Sequence, residues 1–227
     1  MSCGLVALGD SITYGHGGMQ SGLGSQSWAQ WLAEAMDLPF TRYAVNGATA
    51  PDVLRDQVPR LRDRYDVERL HDRYDVATVY VGVNDVRDAG WDAAAYERDL
   101  DAILAAVTRH ADRVLTCTIP LDLGLPPAGA KVAEANAIIA RLAARHGAVV
   151  ADLRDLSGTA HVWADRVHLT ATGQVALADR AARALGAPLP SQTVVDPPAP
   201  DGWYRWHYAK RAVRERVPIL VERLRGA

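Results

Sequence analysis

The stretch VALGDSITYG, residues 6–15, joins an apolar run to a polar turn. The run over residues 5–8 is apolar at every position, which is typical of a strand that is buried on both faces of a parallel sheet. It stops at Gly9, Asp10 and Ser11, where small and hydrogen-bonding residues begin. Open α/β sheets bind ligands beyond the carboxyl ends of their strands. The Ser11 hydroxyl is therefore a candidate for chemistry.

Short apolar runs alternate with longer helical patterns along the rest of the chain, which predicts βα units and a parallel sheet. Strands are expected near residues 4–8, 41–45, 76–81, 113–118 and 148–152. Helices are expected near residues 27–36, 52–64, 93–109, 130–146 and 172–185. The sequence thus predicts the α/β fold class.

Composition divides the chain into three predicted parts. An α/β domain covers residues 1–185, and a linker with five prolines follows at 186–202. Residues 203–227 carry seven basic and two acidic side chains, with apolar residues every three or four positions, which predicts an amphipathic helix. We expect this helix to pack on the more acidic remainder of the chain. The alternative is contact with an anionic membrane surface.

Overall composition narrows the functional classes. The 227 residues carry a formal net charge of −2, so no nucleic-acid partner is expected. Cys3 and Cys117 are expected to be buried free thiols, because neither has a partner at metal-ligand spacing. The first apolar run is too short for a signal sequence and no stretch is long enough to span a membrane, so a cytoplasmic protein is expected. The sequence does not specify an oligomeric state.

Hydrogen-bonding residues also follow other predicted strands. Gly47 comes after the second strand, Asn84 after the third, and a loop beyond the fifth contains Asp165 and His168. A serine nucleophile needs an imidazole to accept its proton, and the imidazole needs a carboxylate to orient it. Asp165 and His168 are three residues apart, a spacing that lets two side chains on one helical turn face the same way. These residues therefore predict acyl transfer.

An acyl-transfer site also needs donors for the oxyanion that develops on the substrate. Plausible donors are the backbone N–H groups of Ser11 and Gly47 and the side-chain amide of Asn84. Gly47 suits this role because the absence of a Cβ lets its N–H approach a substrate closely. Asp10 and Asp85 adjoin proposed site residues, but local hydrogen bonds to loop backbone are the expected reason for both.

Four sequence blocks carry these residues: Gly9-Asp10-Ser11, Gly47, Gly82-Val83-Asn84-Asp85 and Asp165-Arg166-Val167-His168. Together they resemble the SGNH, or GDSL-type, esterases and lipases. The resemblance implies a flavodoxin-like three-layer α/β/α fold with a five-stranded parallel sheet in the order 2-1-3-4-5. It also implies Ser11 as nucleophile, His168 as base and Asp165 as its orienting acid, with Ser11, Gly47 and Asn84 forming the oxyanion hole. The substrate would be a small-molecule ester, with no cofactor. A lipid, a sugar acetate and a thioester all stay open as substrates.

Other classes of function are less consistent with the sequence. The glycine-rich loop after residue 15 lacks the third glycine of a dinucleotide-binding motif, and the second strand lacks a following acid. His161 and His168 do not have the spacing of a zinc site. The remaining rival is a non-catalytic module on the same fold that binds a ligand or partner through its basic C-terminal helix.

Overall fold

The computed structural model describes residues 4–15, 23, 26–61 and 73–192, together with 206, 209, 210, 213 and 214. Cys3, most of the glycine-rich loop and the end of the helix predicted at 52–64 lie outside the described residues. The same holds for the linker beyond Gln192 and for most of residues 203–227.

Five parallel strands form one sheet. They are β1 Leu5–Gly9, β2 Phe40–Arg42, β3 Tyr74–Tyr80, β4 Ala111–Cys117 and β5 Val149–Ala151. Their order is β2-β1-β3-β4-β5, which confirms the predicted topology. The chain runs outward from β1 to β2 and then crosses back to β3, so its winding reverses between β1 and β3. A crevice at the carboxyl ends of these two strands is the usual ligand site of such sheets.

Helices cover both faces of the sheet, as the complete burial of β1 requires. Helix α2 packs against α6, whereas α4 packs against α3 and α5. The helices are α1 Ser11–Tyr14, α2 Trp28–Ala35, α3 Ala50–Asp52, α4 Ala93–His110, α5 Ala130–His146 and α6 Ala171–Leu185. Helix α3 continues as a π-turn over Val53–Gln57 and a 3-10 turn over Val58–Leu61.

Helix α1 has no counterpart among the predicted elements. It begins directly after β1, and the Asp10 side chain caps it by accepting a 2.9 Å hydrogen bond from the Ile12 amide. Gly15 ends it in a left-handed conformation. An Asp followed five residues later by Gly is a capping signal, but four residues are too few for a helical hydrophobic period to show.

Two predicted boundaries differ for identifiable reasons. β2 ends at Arg42 rather than at residue 45, because the following chain bonds β1 irregularly: the Tyr43 amide donates to Ala7 O and the Val45 amide to Gly9 O. The helix predicted from residue 52 begins at Ala50, where a capping box between Thr49 and Asp52 starts it.

The described residues of the C-terminal segment are helical, and Trp206 and Val213 are more than half exposed. Lys210 Nζ lies 5.0 Å from the centre of the Trp206 ring. The amphipathic helix stays a prediction, because most of residues 203–227 lie outside the described residues. Within the part of the chain that the structure describes, no helix is both long and apolar enough to cross a membrane.

Gly9 closes β1 at a point where backbone segments crowd together. Its φ is +146°, and a Cβ there would lie 2.2 Å from the Tyr80 carbonyl oxygen on β3. The buried Gln57 amide holds Gly9 on both sides, since it accepts from the Gly9 N–H and donates to the Gly9 carbonyl, each at 2.9 Å. The residue before Asp10 and Ser11 is thereby held in place.

We expect Gly9→Ala to destabilise the protein by about 3 kcal/mol or more, because it combines backbone strain with a clash against β3. Gly147→Ala is the matched control: its φ is +66°, but a Cβ there meets nothing within 4 Å. That change should cost only about 1 kcal/mol. Urea unfolding of both variants measures the difference. Equal losses would show that β3 does not restrict Gly9.

Candidate active site

Ser11 stands at the carboxyl end of β1 as the first residue of α1. It is only 6% exposed, and its Oγ lies 3.1 Å from His168 Nε2. The first amides of a helix have no acceptor within the helix, so the Ser11 N–H is available to another partner. The end of β1 and the start of α1 thus place the Ser11 hydroxyl against His168 and leave its N–H without an acceptor in the helix.

His168 is held by Asp165 through both carboxylate oxygens. Asp165 Oδ2 lies 2.7 Å from His168 Nδ1, and Oδ1 accepts hydrogen bonds from the Val167 and His168 amides at 2.9 and 3.0 Å. An ionised carboxylate only accepts hydrogen bonds, so the imidazole proton belongs on Nδ1. The lone pair on Nε2 then faces the Ser11 hydroxyl.

The loop that carries this pair is a tight turn rather than the helical turn that we expected from the spacing. Trp163 and His168 pair across the turn through an N–H···O bond of 2.8 Å, and Val162 forms an antiparallel bridge with Leu169. Arg166 adopts a positive φ of 54° at its tip. The three-residue separation brings the side chains together, but through a turn.

Hydrogen bonding keeps Asp165 ionised. Burial alone would raise its pKa, but hydrogen bonds from His168 and from the Val167 amide outweigh that effect and lower the pKa to about 2. Because the pKa is lowered in the folded state, this group stabilises the fold above about pH 4 and loses that contribution as the pH falls toward 2.

Two of the proposed oxyanion donors, Gly47 and Asn84, lie on connected loops. Asn84 Nδ2 donates to Ala48 O at 3.0 Å, next to Gly47. One of the two Asn84 N–H groups is thus used to hold the Gly47 loop, and the other is left for a further acceptor. Gly47 is exposed with a φ of +79°, and a Cβ there would meet nothing within 4 Å. Its backbone conformation, rather than crowding, favours glycine here.

Two carboxylates brace the same loop just after Ala48. Asp52 Oδ2 accepts from the Thr49 N–H at 3.0 Å and from its hydroxyl at 2.6 Å. Asp85 Oδ1 accepts from the Ala50 amide at 2.9 Å. The expectation of local hydrogen bonds to backbone is correct for Asp10 and incomplete for Asp85, which bonds its own amide and also the Ala50 amide 35 residues away.

Two buried glutamines support the site, and sequence reasoning missed both. Gln57 holds Gly9, as described above. Gln174 accepts from the Trp28 amide at 2.8 Å and donates to Ile12 O at 3.2 Å, so it ties α6 to α1 and α2. A single glutamine in an amphipathic pattern gives no signal that its amide is buried.

Asp10, next to Ser11 in the chain, is a fully buried carboxyl group. Its Oδ1 caps α1, and its Oδ2 is buried without a hydrogen-bond partner. Burial is the main reason that its pKa rises to about 7, and the charge of Asp85 adds to the rise, while the Ile12 amide and His168 lower it. Asp10 is therefore protonated in the folded protein over much of the acidic range.

This raised pKa predicts how stability depends on pH. Between pH 4 and 7 the folded state holds a proton on Asp10 that the unfolded state has lost, so stability falls as the pH rises through this window. We expect Asp10→Asn to remove a loss on the order of 2–4 kcal/mol between pH 4 and 8. Urea unfolding at several pH values measures the slope, with the exposed Asp37→Asn as the control. A wild-type slope in Asp10→Asn would contradict the raised pKa.

The remaining histidine and cysteine side chains considered as metal ligands do not form a metal site within the described residues. Within the described residues, no three His, Cys, Asp or Glu side chains are grouped closely enough to hold a metal ion. His161 directs Nδ1 toward Ser157 O at 3.4 Å. Cys117 is buried and free, and burial raises the pKa of its thiol.

Solved structures with the same fold include an α/β hydrolase enzyme and an acetylxylan esterase. One is LAE5, an α/β hydrolase enzyme from the metagenome of Lake Arreo, Spain, with 21% identity and a TM-score of 0.63 over 82% of this chain and 96% of that one. The other is Axe2, an acetylxylan esterase from Geobacillus stearothermophilus, with 18% identity and a TM-score of 0.61 over 82% and 95%. These likenesses establish the fold. The comparison with curated proteins found no sequence relative.

The family comparison covers most of the α/β domain. Residues 7–176 match the model of the GDSL-like lipase/acylhydrolase family. The match begins within β1, ends within α6, and so includes all four blocks that carry the sequence resemblance. The chain therefore belongs to the GDSL-like lipase/acylhydrolase family and is a hydrolase of ester bonds.

Proposed function

We propose that this protein is a serine esterase that cleaves carboxylic esters through an acyl-enzyme intermediate. The observation that carries the proposal is the continuous relay from Ser11 Oγ through the His168 ring to Asp165, with contacts of 3.1 and 2.7 Å. A buried hydroxyl facing an oriented imidazole is the arrangement that activates a serine.

Each step of the reaction has a residue at hand. Ser11 Oγ attacks the ester carbonyl carbon while its proton passes to His168 Nε2. The C–O bond to the alcohol then breaks, and Nε2 gives the proton to the departing oxygen. Water repeats the sequence on the acyl-enzyme, which releases the acid and restores Ser11. Asp165 stays ionised throughout and stabilises the imidazolium.

The negative oxygen formed at each attack needs preorganised donors. We assign this role to the Ser11 and Gly47 backbone N–H groups and to the second N–H of Asn84. The bond from Asn84 to Ala48 O and the bond from Ala50 to Asp85 support the assignment, because they fix the Gly47 loop before substrate arrives.

Structures of the fold relative Axe2 agree with these roles. They include catalytic mutants in which a serine, an aspartate or a histidine is replaced by alanine, and that aspartate and histidine are three positions apart. Asp165 and His168 have the same separation. The rival proposal, a binding module without catalysis, gives no reason for a buried hydroxyl to face an oriented imidazole.

We expect Ser11→Ala to lower the turnover of p-nitrophenyl acetate by at least about 10⁴-fold and to abolish labelling by a fluorophosphonate probe. Ser157→Ala, which removes an exposed hydroxyl in a loop, is the control and should keep wild-type turnover. Retained hydrolysis or labelling in Ser11→Ala would overturn the nucleophile. A wild-type protein that neither reacts with the probe nor hydrolyses esters would favour the binding module.

We expect Asn84→Ala to lower kcat by about 10²–10³-fold with little change in KM, because an oxyanion donor acts chiefly in the transition state. Steady-state kinetics with the same ester measures the effect. Asn46→Ala removes an exposed amide from the neighbouring Gly47 loop and serves as the control. A small loss of kcat in Asn84→Ala would remove Asn84 from the oxyanion hole.

A further inference from the structure

A cleft of about 260 Å³ opens beside the proposed oxyanion donors. It lies where the beginnings of α3 and α4 meet, and Asp85 in its wall directly follows Asn84 in the chain. Thr49, two residues after Gly47, belongs to the same wall. The lining residues are Thr49, Pro51, Asp85, Asp88, Gly90, Trp91, Asp92, Ala95, Tyr96 and Asp99.

The lining is acidic, with four aspartates and no basic side chain. Asp85 is 91% buried, and its Oδ2 has no hydrogen-bond partner. Asp99 makes no hydrogen bond to a described residue, whereas Asp88 and Asp92 each accept from nearby backbone amides. Lys131 donates to the Asp88 backbone carbonyl from outside the lining. Among the described residues, the lining of the cleft therefore carries acidic side chains without a basic one.

Two aromatic residues also line the cleft, and the polar group of each already bonds to protein. Trp91 Nε1 donates to Glu134 at 2.8 Å, and the Tyr96 hydroxyl donates to Val81 O at 3.1 Å. Their ring centres are 5.3 Å apart with an angle of 46° between the planes. Both polar groups already bond to protein, and Tyr96 is only 3% exposed, so the partly exposed Trp91 ring is the aromatic surface that the cleft can offer a ligand. Such a surface attracts organic cations.

The carboxylates are too dispersed for a metal ion, since no three acidic, His or Cys side chains of the described residues are grouped closely enough to hold one. A larger, diffuse cation matches the spacing, the aromatic surface and the volume together. We propose that this acidic cleft binds an organic ammonium group of the ester substrate, which makes cationic esters the preferred substrate class. This inference rests on the proposed esterase function.

The pKa of Asp85 is raised, as expected for a carboxyl group whose negative charge is destabilised by its surroundings. Burial first, and then the charges of Asp52 and Asp99, raise its pKa to about 6 despite a hydrogen bond from the Ala50 amide. A cation in the cleft would offset these charges and favour the ionised form.

Binding of choline and of its uncharged isostere 3,3-dimethyl-1-butanol tests the proposal without requiring turnover. Calorimetry on the full chain should show choline binding about tenfold more tightly than the isostere. Raising the NaCl concentration should reduce this preference, because salt screens a half-exposed site. Choline should also inhibit p-nitrophenyl acetate hydrolysis competitively, because the cleft adjoins the oxyanion donors.

The variant Asp99→Asn keeps the side-chain shape and should lower the preference for choline about two- to fivefold. The control Asp37→Asn removes the same charge from an exposed position before β2, at the amino ends of the strands, whereas the cleft lies beyond their carboxyl ends. This control should leave the preference unchanged. A ratio of two affinities does not depend on the active fraction of a preparation. Equal affinities in the wild type, or an unchanged preference in Asp99→Asn, would overturn the proposal. If choline binds but no ester is hydrolysed, the proposed esterase function fails while cation binding by the cleft is retained.

Discussion

The contact between Ser11 and His168 joins residues 157 positions apart, and much of the architecture around it serves to hold its two ends. One end depends on β1, where Gln57 clamps Gly9 and Asp10 caps α1. The other depends on the turn before α6, where Asp165 bonds the imidazole and two amides. Gln174 in α6 bonds back to Ile12 in α1, so both ends also meet behind the site. The relay is thus a property of the packed sheet and helices.

The sequence predicts the sheet well because its signals are local. Short runs rich in apolar residues mark the strands, and the hydrogen-bonding residues that follow them mark the edge where ligands usually bind. The strand order came from the family resemblance, since a run such as that over residues 76–81 does not reveal its neighbours. The short strand β2 shows the limit of the pattern: residues 43–45 have the right composition, but irregular bonds to Ala7 and Gly9 end the regular ladder.

Support of the site is harder to predict, because it depends on groups far apart in the chain. Asp85 was expected to bond locally, yet it also accepts from the Ala50 amide across two loops. Gln57 and Gln174 have the residue type of exposed helix positions, and only the three-dimensional packing shows that their amides replace missing backbone partners. The side chains proposed for catalysis could be named from spacing, whereas the polar groups that hold them could not.

Two carboxyl groups near His168, those of Asp165 and Asp10, differ in their hydrogen bonds and in their pKa values. Asp165 receives three hydrogen bonds and stays ionised, which gives His168 a fixed negative partner on the Nδ1 side. Asp10 directly precedes Ser11 in the chain. Its side chain accepts a hydrogen bond from the Ile12 amide, and burial raises its pKa to about 7. Below about pH 7 the Asp10 carboxyl group is therefore mostly protonated while it caps α1, whereas Asp165 is ionised and bonds the His168 ring.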